Sequence, residues 1–170
     1  KIGASKMKQF AWFVVNGLVF QSSALPFSSL KVGLLRLFGA KVGEGVVIKP
    51  SVNIKYPWKL EIRNNVWIGE QVWIDNLAPV FIGNNVCISQ GALLLAGSHD
   101  FTKTTFDFVA NEIVLEDGVW LGAKSVVPGG VVCRTHSILG AGSVAEKDLL
   151  QYLIYKGNPA IPILERQIIS

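Results

Sequence analysis

Histidine is the side chain best suited to shuttling a proton near neutral pH, because a reference pKa of about 6.5 lets it take a proton and return it. The chain has two, His99 and His136, in unlike settings. His99 lies in LLLAGSHDFTKTTF (93–106), beside the carboxylate of Asp100 and at the head of a polar loop. His136, in CRTHSI, takes a corner position within a regular stretch, where a side chain is expected to face solvent. Asp75 and Asn76, in WIDNLAP, offer a carboxylate and an amide that suit either a hydroxyl-bearing ligand or an ordinary turn. Cys87 and Cys133 form no CxxC and no disulfide framework, and read as reduced, partly buried thiols.

The elements that must position these groups follow an unusual period. From Val42 a key aliphatic recurs every six residues: Val42, Ile48, Ile54, then Ile62, Ile68, Ile74, then Ile82, Ile88, Leu94. After a break it resumes at Leu115, Leu121, Val127, Cys133 and Leu139. Four residues beyond such positions sit small or aliphatic side chains, among them Val52, Val72, Ala92, Ser98, Ser125 and Ser143. Six is neither the helical period nor strand alternation. A short strand followed by a corner satisfies it, and three such units close a triangular coil that stacks on the next at the ordinary strand spacing of about 4.8 Å. The reading is all-β: a parallel β-helix of hexapeptide repeats. Small insertions near Leu60–Glu61 and Pro79 are expected as corner bulges, and a large one from about His99 to Glu112 as a projecting loop. A rigid scaffold with one projecting loop is a common way to build a site.

Residues 1–40 form a distinct N-terminal helical, apolar segment; 41–145 are the β-helix with its loop at 99–112; 146–170 are a C-terminal tail expected to pack on it. SSLKVGLLRLFGA (28–40) places Leu30, Leu34, Leu35 and Phe38 at helical spacing, with Lys31 and Arg36 elsewhere on the turn and Gly39 able to end the helix. FAWFVVNGLVF (10–20) is about half the length needed to cross a bilayer. No small-residue cleavage site follows it, so no signal peptide is expected. It reads as a helix that caps a core or lies on a membrane surface through residues 10–20. Half the residues are hydrophobic, only 16% are charged and the net charge is +4. That balance suits a large core, a subunit interface and a phosphate-bearing ligand, and is too diffuse for nucleic acid.

The hexads VWIGEQVWI, FIGNNVCISQGALL, GVWLGAKSVVPGGV and ILGAGSVAEKDL, with the closing YKGNPA, resemble the hexapeptide-repeat acyltransferases. KYPWKLEI, WIDNLAPV and GSHDFTKTTFD resemble, within that family, the O-acetyltransferases of colanic-acid and capsule biosynthesis. The likeness runs over roughly residues 28–166. It implies a left-handed helix, a homotrimer, and acetyl-CoA as co-substrate in the groove between neighbouring subunits. It makes His99 the general base and Asp75 and Asn76 the acceptor-binding pair, with Asp100 orienting the imidazole or capping the loop. Trp120 would flank the acetyl group. The resemblance runs the pantetheine arm past the amides of Gly122, Ala123, Gly140 and Ala141, with Lys124, Lys147 and Lys156 near the phosphates and Gly157, Asn158 and Pro159 closing the site. One departure is plain: the family commonly has Lys or Arg after GNPA, whereas Ile161 and Pro162 stand here. No metal is expected, because two histidines of such different context do not offer the three-histidine zinc set of the γ-class carbonic anhydrases on the same prism.

The expectation is a cytoplasmic acetyl-CoA-dependent O-acetyltransferase acting on a sugar in exopolysaccharide or capsule assembly, at the inner membrane face if the acceptor is lipid-linked. Alternatives are another small acceptor (serine, an amino sugar or an antibiotic) or a non-catalytic β-helix scaffold.

Overall fold

A computed structural model describes residues 3–169. The six-residue aliphatic series forms the axis of a parallel solenoid. Ile48, Ile54, Ile68, Ile74, Ile82, Ile88, Leu94, Leu115, Leu121, Val127, Cys133 and Leu139 are completely buried, stacked coil upon coil. Register follows the same series: Val42 pairs with Ile62, Ile62 with Ile82, Ile82 with Leu115 and Leu115 with Cys133, all parallel. Three such faces enclose the core. Strands Lys41–Val42, Leu60–Ile62, Val80–Ile82, Ile113–Leu115 and Val132–Cys133 make the first, and Val47–Ile48, Trp67–Ile68, Cys87–Ile88, Trp120–Leu121 and Ile138–Leu139 the second. Asn53–Ile54, Trp73–Asp75, Leu93–Leu95 and Val126–Pro128 make the third. The chain is therefore the expected parallel β-helix.

Corners between faces require left-handed backbone. Ser51, Asn65, Gln71, Asn85, Lys124 and His136 adopt positive φ there without being glycine, and asparagine tolerates that region better than most side chains. The small insertion before Leu60 is a single 3₁₀ turn, Pro57–Lys59. The large one is a hairpin rather than an irregular loop: Gly97–His99 runs antiparallel to Phe108–Ala110. Ser98 leaves the buried series for that reason, since it belongs to the hairpin and is exposed.

Two helices cover the first coil. Helix α1 spans Lys6–Val15 and continues as a π-helical turn over Asn16–Phe20. Trp12 and Phe20 enter the core edge to face, 5.1 Å apart, and the Trp12 indole donates to the Ile54 carbonyl. Helix α2 spans Ser28–Leu37 and buries Leu35, while Gly39 ends the turn at φ +97°. Two details differ from the simple amphipathic reading. Leu30 is exposed, and Lys31 is fully buried, its ammonium donating to the Lys49 carbonyl at 2.8 Å. Burial lowers the Lys31 pKa because a charged amine loses hydration there. No helix among the described residues is long and apolar enough to cross a membrane.

At the other end, antiparallel strands Leu153–Gly157 and Ala160–Glu165 close the second face. Arg166 fastens this hairpin by donating to the carbonyls of Gly118 (2.7 Å) and His136 (3.1 Å). His136 is consequently not a free surface residue. Its ring stacks on Tyr152 at 5.0 Å and lies against Gly118, and its Nδ1 is buried without a hydrogen bond.

Candidate active site

His99 ends the strand Gly97–His99, and the hairpin brings Phe106 back across it. The His99 Nδ1 lies 2.7 Å from the Phe106 carbonyl oxygen. A carbonyl can only accept, so neutral His99 carries its proton on Nδ1 and keeps the Nε2 lone pair open. The Phe108 ring meets the imidazole edge to face at 6.1 Å. Phe106 itself sits at φ +47°, a conformation the surrounding loop must hold. It does so through short polar bonds: Thr102 donates its amide and hydroxyl to Asp100 Oδ1, and Lys103 pairs with Asp107 at 2.7 Å. Asp107 is held below the usual carboxylate range by its bonds to Lys103 and Thr105. Asp100 thus braces the loop, while a backbone carbonyl orients the imidazole.

The imidazole borders a cavity of about 430 Å³ whose walls include Leu95, Ser98, Phe101, Asn111 and Pro128. Asp75 adjoins it, since Asp75 pairs in register with Leu95. The Asp75 carboxylate is nearly buried, and its Oδ1 is ion-paired with Lys55 Nζ at 3.1 Å. Asn76 is spent differently. Fully buried, its Oδ1 accepts from the Tyr56 amide (2.9 Å) and its Nδ2 donates to the Tyr56 carbonyl (2.6 Å). The side chain imitates a neighbouring strand and keeps neither amide group for a ligand.

Trp120 stands on the second face, not beside this cavity. Its indole donates to Ser89 Oγ at 2.9 Å, and with Gly122, Ala123, Gly140 and Ala141 it lines a groove of about 520 Å³. Glycine is obligatory at this corner because the next coil packs against it: a Cβ on Gly122 would fall 2.5 Å from the Ala141 nitrogen. Gly122 N and Gly140 N are already bonded to the Leu139 and Tyr155 carbonyls. Among the described residues, the amides of Ala123 and Ala141 have no such bond, leaving them to a ligand. Lys124 and Lys156 are exposed nearby in sequence, and Gly157, Asn158 and Pro159 form the exposed tip of the terminal hairpin. The chain therefore presents two separate surfaces, a histidine cavity at the edge of the third face and a groove beside Trp120 on the second.

Sequence reasoning missed Phe106, Ser89 and Lys55. Phe106 acts through its backbone and leaves no side-chain signal. Ser89, in the hexad CISQGA, precedes the groove's Gly122 by one coil, a relation visible once coils are aligned.

No protein-family model matches the chain. It is 38% identical over 164 residues to WcaF of Escherichia coli K12, a protein named for colanic acid biosynthesis as an acetyltransferase, covering 96% of this chain and 90% of that one. It is 27% identical over 135 residues to the galactoside O-acetyltransferase of the same organism, covering 78% and 66% respectively. The fold matches a hexapeptide-repeat acetyltransferase of Vibrio cholerae with a TM-score of 0.86 at 19% identity, covering 98% of this chain and 96% of the other. That protein's complex with acetyl coenzyme A matches at 0.82, with 96% and 87% covered. Likeness of this extent places the chain in the hexapeptide-repeat acetyltransferases, the family of WcaF.

Proposed function

We propose that the chain transfers the acetyl group of acetyl-CoA to a sugar hydroxyl during assembly of a colanic-acid-like exopolysaccharide. The observation that carries the reading is His99, whose Nδ1 is held at 2.7 Å by the Phe106 carbonyl while Nε2 stays open beside a cavity. Nε2 removes the proton of the acceptor hydroxyl as its oxygen attacks the thioester carbonyl. The tetrahedral intermediate collapses, the C–S bond breaks, and the imidazolium returns its proton to the departing CoA thiolate. No covalent acyl-enzyme is needed. Asp75, its Oδ1 paired with Lys55 at 3.1 Å, receives a second acceptor hydroxyl on its carboxylate.

The donor lies along the groove of Trp120, with the free amides of Ala123 and Ala141 receiving its amide-rich arm and Lys124 and Lys156 its phosphates. The two half-sites sit on different faces, so the enzyme works as a homotrimer in which His99 of one subunit meets the groove of the next. The outer columns of the faces suit such an assembly. Val47, Trp67, Cys87, Trp120, Ile138 and Ile154 follow one another in register without a charged residue, a pattern that favours covering by protein. The enzyme acts in the cytoplasm, and within residues 10–20 the exposed Val14 of α1 and Leu18 of the turn that follows it suit contact with the inner membrane face when the acceptor is lipid-linked.

Purified protein with acetyl-CoA and de-O-acetylated colanic acid is expected to release free CoA thiol and acetylate the polysaccharide. His99→Ala is expected to lower kcat/KM by about 10²–10⁴-fold. Undiminished turnover in that variant removes the base, and acetylation of serine, an amino sugar or an antibiotic in preference to the polysaccharide reassigns the acceptor.

A further inference from the structure

Between helix α1 and the outer side of strands Asn53–Ile54 and Trp73–Asp75 lies a cavity of about 450 Å³ that shares no lining residue with the cavity of His99 or the groove of Trp120. Its walls combine the rings of Phe10, Tyr56 and Trp73 with the polar ends of Gln21, Asn53 and Lys55. Trp73 keeps 43% of its surface exposed, although the rest of its strand is buried. Tyr56 is held by stacking on Trp58, centroids 5.1 Å apart. Asn53 Oδ1 accepts from Asn16 at 2.8 Å and from Gln21 at 3.5 Å, which fixes the amide and turns its own donor to a ligand. Flat aromatic surfaces beside fixed amides match a pyranose ring. Its C–H face packs on an aromatic ring and its hydroxyl edge bonds to amides.

Placement ties this cavity to the chemistry. Trp73 and Asp75 stand two residues apart on one strand and so project to the same outer side. Lys55 lines the cavity and faces Asp75 at 3.1 Å. Asp75 is in register with Leu95, and Leu95 lines the cavity of His99. Asp75 thus stands one strand spacing from each lining, so that Lys55 and Leu95 lie two spacings, about 10 Å, apart, roughly the advance of two sugar rings.

We propose that the cavity beneath α1 is a second saccharide subsite, and that the acceptor is an oligosaccharide lying from His99 across Asp75 to Trp73. The choice of sugar as ligand rests on the acetyl-transfer reading above; the subsite itself is tested without turnover. Calorimetric titration of the full chain, with no donor present, uses de-O-acetylated colanic acid fragments of one to four rings. Affinity is expected to rise about tenfold between one ring and three. Trp73→Ala and Phe10→Ala, on opposite walls, are each expected to abolish that gain and to leave single-ring affinity and melting temperature unchanged. Equal affinity at every length overturns the subsite, as does a length gain that both variants keep. Absence of acetylation in a separate assay sinks the transferase reading and leaves the length dependence of binding to be judged by itself.

Discussion

Because the Phe106 carbonyl can only accept, its 2.7 Å contact with His99 decides which nitrogen of the ring is basic. The choice is made by backbone, so a reader of the sequence can find the base but not what aims it. His99 was legible as an isolated histidine where a repeat fails; the neighbouring Asp100 drew attention because it is charged, yet its Oδ1 is occupied by the amide and hydroxyl of Thr102. Asn76 shows the same limit in reverse. Its type and place suggest ligand contact, whereas both amide groups close on Tyr56, twenty residues earlier. That pairing depends on the two-residue insertion that sets the coil length, which no local pattern reveals. Asn76→Ala would leave the Tyr56 amide and carbonyl without partners in a buried site. It is expected to lower stability by about 1–3 kcal/mol, read from urea unfolding. Asn76→Asp keeps the acceptor but loses the donor, and is expected to fall between. A stability unchanged by alanine would return Asn76 to the acceptor site.

At the scale of elements, the repeat specified the solenoid because each key aliphatic must stack on its equivalents in adjacent coils, and no other fold gives a six-residue period that burial. The projecting segment was legible only as an interruption. Its hairpin pairing, His99 opposite Phe108, arises from contacts between residues that follow no repeat. The same holds for His136: its corner was readable, but Tyr152 and the Arg166 clasp that enclose it come from a tail outside the hexads. The hairpin's order carries a pH dependence. Asp107 has its carboxyl depressed chiefly by Lys103 and then Thr105. A depressed folded-state carboxyl stabilises the loop above the ordinary aspartate pKa, 3.8 in this case, and that contribution is lost as pH falls through the still lower folded value. Proteolytic nicking within residues 100–107 is therefore expected to rise as acid protonates Asp107, with an acid-active protease as probe. Asp107→Asn is expected to be nicked readily at every pH and to show a lower kcat, because Phe106, which aims His99, adjoins it. A nicking rate independent of both pH and Asp107 would mean that other contacts hold the hairpin.

On the scale of the whole molecule, the proposed division of the site between two faces calls for subunits to cooperate. His99 follows the third face and Trp120 belongs to the second, and a rigid prism cannot fold one onto the other. The groove of Trp120 has no histidine or carboxylate among its lining residues. In the cyclic trimer we propose, one heterologous contact repeats three times, each joining the histidine of one copy to the groove of its neighbour. The arrangement can be tested by mixing two inactive proteins. His99→Ala removes the base and leaves the groove intact; Ala141→Trp fills the groove and leaves the base, since Ala141 is exposed and lines the groove. Each alone is expected to be nearly inactive. Unfolded and refolded together, they assemble trimers in which some interfaces join an intact histidine to an intact groove, and random assortment gives about a quarter of wild-type activity. Refolding the two separately and then combining them gives none, provided subunits do not exchange. Were each site built within a single protomer, no mixture would recover activity, and the division of the catalytic apparatus between two faces would then need a bending of the prism that its stacked core does not allow.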